Sequence, residues 1–355
     1  MIFYHSRIKS EYLTRELGWQ WIPFTESMGI DFKVGKINIV TIGQSLDELG
    51  VLDNLPRDSI WVLLYADETY EWEINHAVLN HHAVRGVIRN YPIYRANWIH
   101  ACGLLVRSLR NFLVLKRELF SLRFMKGLLS GFVMTHRVRR IWKYQEFSNK
   151  KNVGLQLGYT NLFSTSVEGN LLKRGVLLSE YDSLLELSHF LKKDPMKSIQ
   201  FCFAGQRGSI WRSLSITVCS QILEELGVKF VFKLRPRFTG DSPSAHLIPN
   251  IGSDYVALLE ISRFSICPPG NYSIHTFRIV ESVVMGALPV SSEPCPSDPA
   301  CIFLTPRPST CDLETWPQLI HNSLTLSERE RLNQLRHFIT NLRNHFSEVN
   351  VQLLD

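Results

Sequence analysis

Arg278 and Glu281 stand three residues apart in the stretch CPPGNYSIHTFRIVESVVMGALPV, Cys267 to Val290. An arginine presents a flat fork of N–H donors that matches phosphate oxygens. A carboxylate one helical turn further on can accept hydrogen bonds from a sugar hydroxyl. Together they suit a ligand that carries both phosphate and hydroxyl groups. The same spacing also suits a structural ion pair on a half-exposed helix, and the residue types alone leave that choice open. Gly205 and Arg212, in FCFAGQRGSIWRSL, offer a second pairing of a glycine turn with a cation. Lys233 and Arg235 close the run VKFVFKLRP. They face either a phosphate or solvent.

The elements that must position these residues follow from the patterning. SIQFCFAGQRGS reads as an apolar strand, IWRSLSITVCSQILEELG as a helix stopped at Gly227, and VKFVFKLRP as a strand closed by Pro236. SDYVALLEIS reads as a short helix with Ser253 as its N-cap. RFSICPPG is a third strand, IHTFRIVESVVMG a helix ended by Gly286, ALPVSS a fourth strand and CIFLT a fifth. In the helix after Gly270, Phe277, Val280 and Val284 share one face, and Ile279 and Val283 widen it. Arg278 and Glu281 are left on the narrow polar edge near its start. Helix N-termini direct N–H groups and positive dipole ends at anions. Strands alternating with amphipathic helices predict a parallel, doubly wound α/β sheet, whose ligands bind beyond the carboxyl ends of its strands.

The N-terminal half repeats the pattern. KINIVTIG, SIWVLLYADE, VRGVIRNYP and KNVGLQLGY read as strands, and TYEWEINHAVLNHH as a helix. His81 and His82 lack ligand spacing and are expected to cap or solvate that helix. With 355 residues, two domains are expected: residues 1–185, residues 186–325, and a polar amphipathic helix over 326–355 packing back on the first, with the joint around SEYDSLLELSHFLKKDPMKS. Hydrophobic residues make up 45% and charged residues 20%, as in soluble globular proteins. No run of about eighteen apolar residues predicts a membrane span. The start, MIFYHSRIKSEYLTREL, lacks the apolar stretch of a secretion signal. The seven cysteines form no Cys-x-x-Cys pair. They read as buried free thiols in a reducing compartment rather than as a zinc site.

Charge is uneven. Twelve basic residues between Arg107 and Lys151 face only Glu118 and Glu146, a net +10 against +6 for the whole chain. Apolar residues recur at helical spacing through RSLRNFLVLKRELFSLRFMKGLLSGFVMTHRVRRIWKY, so a basic helical segment is expected over about 100–145. It suits peripheral contact with an anionic membrane or an acidic polymer. The competing reading packs its apolar face on the first domain and leaves the charges solvated. Nothing here resembles a nucleic-acid motif, and no nucleic-acid partner is expected.

The block SDYVALLEISRFSICPPGNYSIHTFRIVESVVMGALPV resembles the exostosin family of glycosyltransferases. The matching positions are Ser262, Phe264, Cys267, Pro268, Gly270, Arg278, Glu281, Gly286, Pro289 and Val290. Phe203, Gly205 and Arg212 match a second block. LLYADETYEWE, VIRNYP and VGLQLGYTNLF are similar to the acceptor-side domain of related sugar transferases, nearest the ribitol-xylosyltransferase branch. Typical members are anchored in the Golgi. That implies a Golgi lumen location if an anchor has been lost, and a cytoplasmic, soluble or peripheral one if the chain is complete. The basic segment has no counterpart in the family.

The resemblance implies a GT-B arrangement, with two Rossmann-like domains facing across a cleft. It implies transfer of a sugar, with inversion and without a metal or other cofactor, from a nucleoside diphosphate donor such as a UDP-sugar to a glycan, glycolipid or glycoprotein. Donor binding falls to Gly205, Arg212, Arg235, Pro268, Gly270, Thr276, Arg278 and Glu281. Asp67 and Glu68, which end the strand IWVLLY, are the candidates for general base; Asp67 reads equally as a helix cap. Arg89, Asn90 and Tyr159 are candidates for the acceptor side. The alternative is a catalytically inactive module of the same fold that binds an acidic polymer or anionic membrane through the basic segment.

Overall fold

The computed structural model describes residues 1–5, 10–23, 32–41, 52–64, 80–89, 150–156, 158–177, 183–185, 197–206, 210–235, 251–268, 277–291 and 315–355. The chain is α/β and divides into two compact units, each built on one parallel sheet.

The first unit carries β1 (Ile2–His5), α1 (Glu11–Arg15), β2 (Gln20–Pro23), β3 (Asn38–Val40), β4 (Ile60–Leu64), β5 (Val84–Arg89) and β6 (Lys151–Gly154). The six strands lie in the order β2-β1-β3-β4-β5-β6, all parallel. Parallel strands covered on both faces read as continuous apolar runs. Ile60, Trp61, Val62 and Leu63 of β4 are buried accordingly. Pro23 cannot donate to a ladder, and it sits on the edge strand β2, where that loss is tolerated. Ser10 caps α1 through its side chain. His81 and His82 precede β5; their Nε2 atoms meet Asp53 Oδ1 and Leu55 O, each at 2.9 Å.

The second unit carries α2 (Asn161–Leu172), β7 (Ile199–Gln206), α3 (Ile210–Glu225), β8 (Phe230–Arg235), α4 (Ile251–Glu260), β9 (Ser262–Ile266), α5 (Phe277–Val284), β10 (Leu288–Val290), α6 (Thr315–Thr325) and the start of α7 (Glu328–Leu354). Its sheet runs β10-β9-β7-β8, again all parallel. β7 pairs with β8 on one side and with β9 on the other. The order therefore reverses between β7 and β9, and doubly wound sheets open a crevice at such a point. Gly227 and Gly286, at φ +61° and +72°, end α3 and α5 in the left-handed conformation expected of glycine there. α4 begins at Ile251, so Ser253 lies inside the first turn and is not the N-cap. The predicted strand CIFLT and the helix TYEWEINHAVLNHH lie outside the described residues, apart from the end of the latter.

α7 begins with a capping box. Ser327 N and Oγ donate to Glu330 Oε2 at 2.8 and 2.6 Å, and Glu330 N donates back to Ser327 Oγ at 3.3 Å. From Asn344 onward the helix belongs to the first unit. There Trp19 Nε1 donates to Asn350 Oδ1 at 2.9 Å, and Phe346 meets the Tyr12 ring edge-on.

Two cations, Lys197 half-buried and Arg331 buried, hold the backbone at the N-terminal end of the second sheet. Lys197 Nζ donates to Glu260 O and to Met285 O, at the carboxyl ends of α4 and α5. Arg331, only 2% exposed, donates to Gly286 O at 2.7 Å and pairs with Glu328. Burial, then the Arg331 charge, lowers the Lys197 ammonium from 10.5 to about 8. Below pH 8 both folded and unfolded chains hold this proton, and the full burial cost applies. Between about 8 and 10.5 the unfolded chain keeps a proton that the folded chain has shed, so stability rises with pH. The rise amounts to roughly 3 kcal/mol from this group. Urea unfolding of the wild type minus that of Lys197→Met, measured across this window, is expected to climb by that order. A flat difference would contradict the burial argument.

Candidate functional site

The order reversal between β7 and β9 gathers the candidate site of the second unit. α5 follows β9 and presents Arg278 on its first turn. Arg278 Nε and Nη2 donate to Ala204 O, at the end of β7, at 3.3 and 3.0 Å. Its guanidinium lies 4.6 Å from the centroid of the Phe203 ring, within cation–π range. The fork thus lies across the carboxyl end of the central strand, held on one face and half-buried. The same strand end shows why residue 205 is glycine. A methyl group there would overlap Arg278 Nη2 and come within 3.2 Å of Phe203 Cζ.

Arg278 and Glu281 do not form the structural pair that their spacing allows. The arginine goes to Ala204, and the carboxylate goes to α2. Glu281 is 6% exposed. Its Oε1 accepts from Thr160 N at 3.2 Å and from Thr160 Oγ1 at 3.1 Å. Thr160 Oγ1 in turn accepts from Phe163 N and caps α2. Thr160 supplies its single hydroxyl proton to Glu281, which fixes Oε1 as a pure acceptor. Burial pushes the Glu281 carboxyl above the usual range; the Thr160 donors and the Arg278 charge oppose the shift. Behind it Tyr255 of α4 packs against Phe163, with ring centroids 6.2 Å apart. Its hydroxyl is buried without a partner at hydrogen-bonding distance. Burial, then the Glu281 charge, raises it well above the ordinary phenol value.

The other predicted donor residues divide. Pro268 is buried two residues after the end of β9. Arg212 is half-buried on the first turn of α3. Lys233 pairs with Asp254 at 3.6 Å on the surface. Arg235 ends β8, and its side chain lies outside the described residues, as do Gly270 and Thr276. Cys202, Cys219 and Cys267 are buried free thiols; burial raises Cys267 to about 11, which suits an inert packing role.

In the first unit, Asp67, Glu68 and Asn90 lie outside the described residues. Arg89 is the last residue of β5, with its side chain outside them. Tyr159, expected on the acceptor side, is grouped by its contacts with the second unit. It is fully buried against Phe163, next to the Thr160 that holds Glu281. The basic segment from Arg107 to Phe147 is likewise outside the described residues.

The sequence reading missed Thr160, Tyr255 and Thr41. A Thr at the head of an apolar-periodic run is a helix N-cap signal, and Thr160 was open to that reading. Tyr255 looks like core in an apolar helix. Thr41 follows β3 at the first sheet's own order reversal, with its buried Oγ1 unpartnered.

Among the described residues no helix is long and apolar enough to cross a membrane. Among them, too, no group of three or more His, Cys, Asp or Glu side chains is placed to hold a metal ion. No protein-family model matches this chain, and none of the curated proteins matches it.

Proposed function

We propose that the chain is a glycosyltransferase of the GT-B type whose second unit binds a nucleoside diphosphate-sugar, UDP-linked by preference. One observation carries the reading: Arg278 lies across the end of β7 beside Gly205, at the order reversal of a parallel sheet. Two of its N–H groups are spent on Ala204 O, and the others remain for phosphate oxygens. Glu281, one turn on, offers its second oxygen to a sugar hydroxyl. The motif resemblance to exostosin enzymes supports the same assignment. Arg278 and Arg212 then neutralise the leaving diphosphate without a metal. The general base comes from the first unit, with Asp67 and Glu68 as candidates, and the acceptor is a glycan, glycolipid or glycoprotein.

The test is release of nucleoside diphosphate from a panel of UDP-sugars, with EDTA present and glycan acceptors added in turn. Turnover of one sugar nucleotide, lost in Arg278→Ala, is the expected result. Nucleotide binding without turnover of any sugar, across all acceptors, would instead favour the non-catalytic module.

A further inference from the structure

We propose that Tyr255 is a positioning residue of this site, whose hydroxyl donates to Oε2 of Glu281 when a nucleoside diphosphate occupies the crevice. The inference rests on the donor-site reading above. A carboxylate offers about four lone-pair positions. Thr160 fills two of them on Oε1 through its N–H and its hydroxyl. The Tyr255 hydroxyl is buried without a partner at hydrogen-bonding distance, and it lies near enough to the Glu281 carboxylate for each to act on the other's ionisation. A buried, unpartnered donor thus lies beside a buried carboxylate, and a small shift of α5 or α4 would bring the two within hydrogen-bonding distance.

Buried polar groups are nearly always paired, so an orphaned hydroxyl in the ligand-free protein is a cost that ligand binding can relieve. Tyr255 is half-buried with its hydroxyl turned inward. Phe163 packs on its ring, and the neighbours Val256 and Leu259 are buried. The charged and titratable groups around the pair are Arg278 on α5, Cys202 on β7 and Cys267 after β9; both thiols stay protonated. Closing the Tyr255–Glu281 bond keeps the carboxylate ionised. It then accepts the ligand's hydroxyl on the one position left.

The experiment compares wild type, Tyr255→Phe and Arg278→Ala by thermal unfolding with titrated UDP, GDP, ADP and CDP at pH 6 and pH 8. Phenylalanine keeps the ring packing and removes only the orphan hydroxyl. The ligand-free midpoint of Tyr255→Phe is therefore expected to equal or exceed that of the wild type. Its nucleotide affinity is expected to fall about tenfold at pH 6, with a smaller loss at pH 8. A purely structural hydroxyl would not change that pH profile. Wild-type affinity and profile in Tyr255→Phe, with Arg278→Ala impaired, would overturn this proposal alone. Absence of nucleotide binding by the folded wild type would overturn the donor site and the role of Tyr255 together. Should Tyr255→Phe unfold at a much lower midpoint, the hydroxyl is structural in the free protein and the proposal is likewise overturned.

Discussion

Arg278→Ala is expected to weaken nucleoside diphosphate binding about a hundredfold, and Arg278→Lys about tenfold. Charge-assisted hydrogen bonds contribute about 1.5–3 kcal/mol each, and a factor of ten is about 1.4 kcal/mol. Alanine removes both the charge and the fork. Lysine restores a charge but has no planar edge to lie on Phe203 while it donates to both Ala204 O and a phosphate. The gap between the two variants therefore measures the charge, and the loss that remains in the lysine variant measures the fork geometry. Equal losses in both would point to the fork, and an intact lysine variant to the charge alone. Direct calorimetric titration checks this, with far-ultraviolet circular dichroism to confirm folding.

Gly205→Ala should reproduce much of that loss from the other side of the contact. The added Cβ needs the space taken by Arg278 Nη2. The guanidinium must then leave Ala204 O and the face of Phe203. Overpacking of this kind costs about 1–3 kcal/mol of stability. The loss of affinity is expected to approach that of Arg278→Ala. The two substitutions act on one group, so the double variant should bind no worse than Arg278→Ala alone, and a double-mutant cycle reads the coupling directly. Additive losses would mean that Gly205 serves the ligand by another route.

Much of the second unit was legible in the sequence. The apolar runs at Ile199, Phe230, Ser262 and Leu288 became β7 to β10, because strands buried on both faces show little else. The positions of Gly227 and Gly286 marked the helix ends, because only glycine takes a positive φ there at little cost. Other elements carried weaker signals. β1 has four residues, and β2 contains Trp21 and Pro23, so neither shows a long apolar run. α6 carries Pro317 in its first turn, where proline is tolerated although it mimics a break. α2 mixes Ser, Thr, Glu and Gly among its apolar residues; its long-range partners settle its place in the second unit.

The site was legible only in part, for the same reason. Spacing identified Arg278 and Glu281 but left their relation open. Their separation into an arginine turned to Ala204 and a carboxylate turned to Thr160 depends on contacts 74 and 121 residues away in sequence. No local pattern encodes those partners. Tyr255 was hidden more completely. Its ring follows the apolar periodicity of α4, and only the placement of its hydroxyl beside Glu281 separates it from ordinary core.

The central claim is that the crevice over Arg278 holds a nucleoside diphosphate. It is tested most directly by thermal unfolding of the wild-type chain with UDP, GDP, ADP and CDP in EDTA. One nucleotide, at about a hundred times its dissociation constant, should add about 2.7 kcal/mol of stability, and Arg278→Ala should lose that gain. A folded wild type whose midpoint stays unmoved by all four nucleotides at millimolar concentration would contradict the account.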